Sequence, residues 1–151
     1  ITSYNYGAKN YARVRQTFRL LLRTCLTLTV LACLSATLLP RPLTLIFNDD
    51  PELTALTCRV MPVFFAGIWA IGAQMACQSA FMAMGQAKTS LFLALLRKVI
   101  LLVPLAVLLP RMTGNVISIY VAEPAADVLA SATTLTLFLA KRNTLLPASE
   151  P

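Results

Sequence analysis

Charged residues leave long gaps along this chain. From Val60 to Ala87 run 28 consecutive residues without a charge, and a helix needs only about 20 to cross the hydrocarbon core of a bilayer. Thr24 to Pro40 is a second uncharged run. Leu91 to Pro110 and Val116 to Leu139 are two more, each interrupted by a single charged pair. A soluble helical bundle would show polar faces at helical spacing, and these runs lack them. The pattern predicts an all-α integral membrane fold with four transmembrane helices.

Turn and loop residues divide the four spans. Residues 1–17 read as the end of a preceding helix and a basic cytoplasmic loop. Span A covers 18–47, with Pro40 and Pro42 kinking its outer end, and an acidic external loop follows over 48–56. Span B covers 57–84 and stops at Gly85, a residue suited to a helix C-cap. The cytoplasmic turn 85–88 leads into span C at 89–110, where Pro104 is an internal kink candidate. The external link 111–115 joins it to span D at 116–140, in which Pro124 sits within the helix. Residues 141–151 form a cytoplasmic tail.

Orientation follows from the basic residues. With four spans both ends lie on one side, which carries Lys9, Arg13, Arg15, Arg19, Arg23, Lys88, Lys141 and Arg142, eight of the 13 Lys and Arg. The other side carries Arg41, Arg59 and Arg111 together with Asp49, Asp50 and Glu52. The excess places both ends in the cytoplasm of a multi-pass protein of the plasma (inner) membrane. Composition agrees, at 58% hydrophobic residues and a mean hydropathy of +0.73. The net charge of +7 is thereby a topology signal whose partner is the lipid bilayer. No basic patch interleaved with aromatics is present, and the pattern implies no nucleic-acid partner.

The chain starts at Ile1 and its first residues read as the end of a helix, so a fragment of a longer protein is expected. Cys25, Cys33, Cys58 and Cys77 are isolated within apolar runs, with no CxxC pair and no histidine. They read as small packing residues, with no disulfide framework and no metal site implied. Nothing resembles a nucleophile–base pair or a phosphate loop, and no catalytic residue is assigned.

Polar residues inside the spans carry the candidate chemistry. Gln74 and Gln78 are four apart and share a helical face with Gly67 and Ile71, with Phe64 one turn further out. A glutamine in hydrocarbon needs another helix or a wet cavity to satisfy its amide. Met61, Met75, Met82, Phe65 and Trp69 surround that face with soft or aromatic surface. Helix packing, with the amides bonding a neighbouring backbone, accounts for the glutamines equally well. In spans C and D, Arg97 and Asp127 lie at matched depth, roughly 18–20 Å from the outer helix ends at about 1.5 Å per residue. They are expected to form a structural charge pair, with Glu123 a competing partner and Lys98 extending toward the cytoplasmic headgroups.

Three segments together resemble the multidrug and toxic compound extrusion (MATE) transporters. They are SYNYGAKNYARVRQT (residues 3–17), FMAMGQAKTSLFLALLRKVILLVPLAVLLP (81–110) and YVAEPAADVLASATT (120–134). The resemblance implies the C-terminal four spans of a twelve-helix transporter, part of its second lobe, exporting lipophilic or cationic organic compounds by ion-coupled antiport. It further implies that Phe64, Ile71, Gln74 and Gln78 face the substrate pathway. No cofactor is implied beyond a coupling ion, H+ or Na+, for the full-length transporter. The partners it implies are small organic drug substrates and the missing N-terminal lobe of the same polypeptide. Glu123 departs from the family, which more often shows an uncharged polar residue before that proline. Span B also lacks the acidic residue through which some members couple transport. Two other readings stay open: a non-transporting four-helix membrane scaffold subunit, and a lipid-linked-precursor flippase of the same superfamily. The intramembrane charges argue against the scaffold, and the lack of cations between Val60 and Ala87 argues against the flippase.

The orientation is testable by labelling single cysteines in intact cells, in a background with the four native cysteines replaced. A cysteine at Asp50 should react with an impermeant thiol reagent, and cysteines at Lys88 or Arg142 should not. The opposite pattern would reverse the topology.

Overall fold

The computed structural model describes residues 1–146, so part of the expected tail, 147–151, lies outside the described residues. Helix α1 (Thr2–Gly7) is one short turn of chain ahead of α2 (Tyr11–Leu38). Asn5 closes the turn between them, donating from Nδ2 to the Ile1 carbonyl at 2.9 Å and accepting the Asn10 N–H on its own carbonyl at 2.8 Å. Asn10 then caps α2 by accepting the Arg13 N–H. That cap starts the helix at Tyr11, well inside the segment expected to be a loop, because an N-cap oxygen satisfies one of the first turn's free donors.

The helix breaks at Leu39 and Pro40 opens α3 (Pro40–Leu45), so the outer end of span A is a separate short helix. Asp50 caps α4 (Pro51–Phe64), accepting from Glu52 and Leu53, and the expected acidic loop is therefore largely helical. Pro62 lies inside α4, and the chain tightens into a 3-10 turn at Phe65–Gly67 before α5 (Ile68–Ala83). Gly85 takes φ +77°, the left-handed turn that glycine adopts without strain. Helix α6 (Ala87–Leu95) widens into a π-helical stretch, Leu96–Leu102, and resumes as α7 (Val103–Thr113). Pro104 sits two residues beyond the end of that stretch. Its ring crowds the carbonyl four residues back and it has no N–H to donate, so the backbone relaxes into longer-range bonding. Helix α7 runs through Pro110 and stops at Gly114 with φ +64°. The link 111–115 is thus mostly helix end. A 3-10 turn, Val116–Ser118, leads into α8 (Ile119–Leu145), which extends past the expected end of span D.

Four continuous helical rods are long and apolar enough to cross a membrane: Tyr11–Leu38, Pro51–Ala83, Ala87–Thr113 and Val116–Leu145. No strand occurs among the described residues. Hydroxyls within the rods bond back along their own helix. Thr24 donates to the Leu20 carbonyl, Ser35 to Leu31 and Thr134 to Ala130. This satisfies them where lipid offers no partner.

Helix α5 is the centre of the bundle, packed against α2 on one side and α8 on the other. Both contacts rest on small residues. A Cβ added to Gly67 would stand 2.5 Å from Pro124 Cα, and one added to Gly72 would stand 2.9 Å from the Cys25 carbonyl oxygen. Without water to drive apolar surfaces together, membrane helices associate by such close backbone approach. Across the α2–α5 seam, the Thr29 hydroxyl reaches the Trp69 carbonyl at 3.3 Å. Helices α5 and α8 run parallel. Gly67 meets Pro124, and two heptads further Phe81 meets Phe138 with ring centroids 5.5 Å apart. Phe18 of α2 stacks on Phe138 at 4.5 Å and completes an aromatic cluster at the end where α2 begins and α8 finishes. Val14, Cys77, Met84 and Leu93 pack around it as the main core.

Gly67→Ala should destabilise the bundle by about 1–3 kcal/mol, because the added methyl meets backbone that cannot rotate away. Gly7→Ala, where a Cβ meets nothing within 4 Å, should be close to neutral. Unfolding midpoints of the two purified variants check the difference. Equal midpoints would show that α5 and α8 are not in close contact at Gly67.

Candidate functional site

Two polar assemblies interrupt the apolar rods. In the first, Arg97 and Lys98 open the π-helical stretch while Glu123 and Asp127, four apart, share one face of α8. Arg97 Nη2 lies 2.6 Å from Asp127 Oδ1, and Nε donates to the same oxygen at 2.6 Å. Nη2 also reaches Glu123 Oε1 at 3.4 Å, and Lys98 Nζ reaches that oxygen at 3.2 Å. Asp127 is almost fully enclosed, its side chain only 3% exposed, whereas that of Lys98 is 56% exposed. Two cations and two anions make the cluster neutral. This matters because a lone charge near mid-membrane costs about 2.5–3.5 kcal/mol even on the lenient insertion scale.

The expected approach of Arg97 to Asp127 is present in this geometry. Lys98 is a correction. On a regular helix it would point about 100° from Arg97 and extend toward the headgroups, but it turns to Glu123 instead. Both basic residues lie in the π-helical stretch, and the long, flexible Lys98 side chain covers the remaining angle to Glu123. Glu123 thereby serves both basic residues at once.

The second assembly lies between α5 and α6. Gln78 Nε2 donates to the Ser90 carbonyl at 3.0 Å, and Ser90 Oγ returns a bond to the Gln78 carbonyl at 3.4 Å. Around this bridge is a groove of about 320 Å³ lined by Met75, Gln78, Ser79, Met82, Ser90 and Leu91. Met75, Met82 and Leu91 are each more than half exposed.

The other residues of the expected pathway stripe lie elsewhere. Gln74 is only 2% exposed, inside the helix packing. Phe64 is edge-on to Tyr120 of α8 with centroids 6.3 Å apart. Gly67 is sealed by Pro124, and Ile71 is half-buried. Gly67 and Gln74 are thus enclosed by helix packing, and of the stripe only Gln78 lines the groove. The 3-10 turn at Phe65–Gly67 shifts the phase of Phe64 relative to the residues of α5, and the absence of a Gly67 side chain lets α8 approach that face. Gln74 Oε1 and Ser131 Oγ are buried without a hydrogen-bond partner. Continuing the Gly67–Pro124 register by one heptad puts these two residues at the same level. Ser79, Ser90 and Leu91 were not singled out from the sequence. The spacing Met75, Ser79, Met82 was the available signal, since it marks one helical face.

A charge-swap cycle tests the first assembly. Arg97→Asp and Asp127→Arg should each cost about 3–5 kcal/mol, because each leaves a buried charge facing a like charge. They should sharply lower the yield of folded protein, and the double swap should recover much of it. A double variant as poor as the worse single one would show that the two residues are not energetic partners.

A family model described as MatE matches residues 1–108. A solved structure of the MATE multidrug transporter DinF-BH, in complex with a bound compound, superimposes with a TM-score of 0.85 at 32% identity. Another, described as "protein A", does so with a TM-score of 0.85 at 31% identity. Each match covers 96% of this chain and 32% of the solved chain. This chain thus spans about a third of their length. No curated protein matches it.

Proposed function

This chain belongs to the MatE family of multi-pass membrane transporters, and we propose that it forms the C-terminal four spans of a multidrug efflux transporter. The observation that carries the reading is the superposition of nearly the whole chain on a third of a MATE multidrug transporter solved with a bound compound. In this reading the remaining spans of the same polypeptide supply the other lobe. The two lobes rock around a central site, and inward movement of H+ or Na+ drives lipophilic or cationic organic compounds outward. Transport needs both lobes, so the four spans alone are expected to be inactive. The basic excess at both ends supports a cytoplasmic location for them in the plasma membrane.

The groove between α5 and α6 is assigned to the substrate pathway, with Gln78 at its floor. Its methionines are flexible and polarizable, which suits ligands of varied shape. Gln78 Nε2 and Ser90 Oγ are each bonded across the floor, which leaves it without a charged group. The coupling carboxylate is assigned to the rest of the transporter. No acidic residue lies between Val60 and Ala87, while Glu123 and Asp127 are both engaged by bases of the third rod.

In the full-length transporter, Gln78→Ala and Met75→Ala should alter the relative resistance to different compounds severalfold while protein level stays near wild type. Losing the Gln78–Ser90 bond costs only about 1 kcal/mol, so abundance, measured in parallel, should change little. Resistance to every compound falling only in proportion to abundance would make Gln78 a packing residue.

A further inference from the structure

Three arginines converge on one groove that the transport reading does not use. Where α2 begins and α8 ends, a cavity of about 370 Å³ lies between the two helices. Arg15, Arg19 and Arg142 stand around it, above a floor of Phe18, Leu22, Leu135 and Leu139. The arrangement has a mirror logic. On α2 the order is Arg15, Phe18, Arg19, Leu22, and on α8 it is Leu135, Phe138, Leu139, Arg142. Both are stripes of i, i+3, i+4, i+7 on one helical face. The helices are antiparallel, so the basic ends meet on one level and the leucines on another. Seven residues separate the two levels on each helix, about 10 Å.

Among the described residues no carboxylate lines the groove and none of its three arginines is in an ion pair. The neighbouring Lys141 turns the other way, to Thr89 of α6 at 3.4 Å. The first turn of α2 contains no acidic residue, so the positive end of its dipole adds to the field of the arginines. Positive charge at the helix ends above an apolar slot continuous with the membrane interior matches a ligand with one anionic and one oily part.

We propose that this groove binds one anionic glycerophospholipid. Its phosphate lies among Arg15, Arg19 and Arg142, and the first part of one acyl chain runs over Phe18 and the leucines. Basic pockets between helices on the cytoplasmic side of membrane proteins bind acidic headgroups in this way. Such a lipid ties α2 to α8 at the end where the Phe18–Phe138 stack joins them directly. The inference is independent of the substrate pathway and concerns a different face of the bundle.

The test uses the full-length protein in detergent, with lipid retention read by native mass spectrometry and stability by thermal unfolding. Dioleoylphosphatidylglycerol should be retained and should raise the unfolding midpoint. Dioleoylphosphatidylcholine, with the same chains, and inorganic phosphate, with no chain, should do neither at the same concentration. Each arginine near the surface contributes roughly a fivefold factor in affinity, so Arg142→Gln should weaken phosphatidylglycerol binding about fivefold and the triple R15Q/R19Q/R142Q on the order of a hundredfold. Should the triple variant fail to fold, the exposed Arg142 at the helix end carries the test alone. Equal retention of both lipids would overturn the proposal, as would a full stabilisation by phosphate alone. Undiminished retention in Arg142→Gln would do the same, the result expected if another segment of the polypeptide fills the groove.

Discussion

The close approach of α5 to α8 at Gly67 governs the rest of the bundle. Lipid tails are as apolar as leucine, so no hydrophobic force selects one helix contact over another, and backbone proximity decides. With Gly67 against Pro124, two parallel helices can only keep one register. Phe81 then lands on Phe138, and Phe18 of α2 can stack on the same ring. Small residues surround the contact, with Ala70 on α5 and Ala122, Ala126 and Ala130 on α8 all buried. The same packing encloses Asp127, between Ala126 and Ala130 in the sequence, and so fixes where a basic residue must come to meet it.

That requirement explains the irregular third rod. Arg97 reaches both acids of α8, and Lys98 adds a second base to Glu123. The π-helical stretch brings both bases to Glu123 and Asp127. Pro104 favours it by disrupting the ordinary hydrogen-bond ladder just beyond. A buried ion pair is weak evidence for stability in water-soluble proteins, since its desolvation cost can exceed the attraction. Within a membrane the alternative is worse, because the separated charges face hydrocarbon. The pair is therefore best understood as enforcing one alignment of α8 with the third rod.

The charge-free runs in the sequence revealed the four rods because bilayer thickness leaves little choice of element. Counting residues back from the 111–115 link also located Arg97 opposite Asp127, since helical rise converts sequence distance directly to depth. What stayed illegible was phase. The 3-10 turn at Phe65–Gly67 and the π stretch at Leu96–Leu102 each rotate the helix downstream of them, and a wheel drawn with steps of about 100° cannot register that. Gln74 shows a second limit, since a helical face does not reveal what covers it. An unpaired amide in hydrocarbon suggests a wet cavity, yet Gln74 is buried in the helix packing with its oxygen unpartnered. Burial of that kind costs about 1–3 kcal/mol, which the tight packing around Gly67 and Gly72 offsets. Helix starts were illegible for a different reason. Asn10 and Asp50 are polar residues in polar segments, and only their side-chain bonds to backbone N–H groups identify them as caps.

The basic residues show how depth decides the fate of one side-chain type. Arg97 lies deep enough that solvent cannot screen it, so the sequence must provide carboxylates, and it provides two. Arg15, Arg19 and Arg142 lie within a turn or two of helix ends, where water and headgroups are within reach of a long side chain. Among the described residues no carboxylate lines their groove. A protein-borne acid there would neutralise the charge that sets topology under the positive-inside rule. Leaving the anion to the membrane satisfies both demands. The arginines keep their topological signal, and their countercharge comes from a component that is present only when the helices stand in a bilayer.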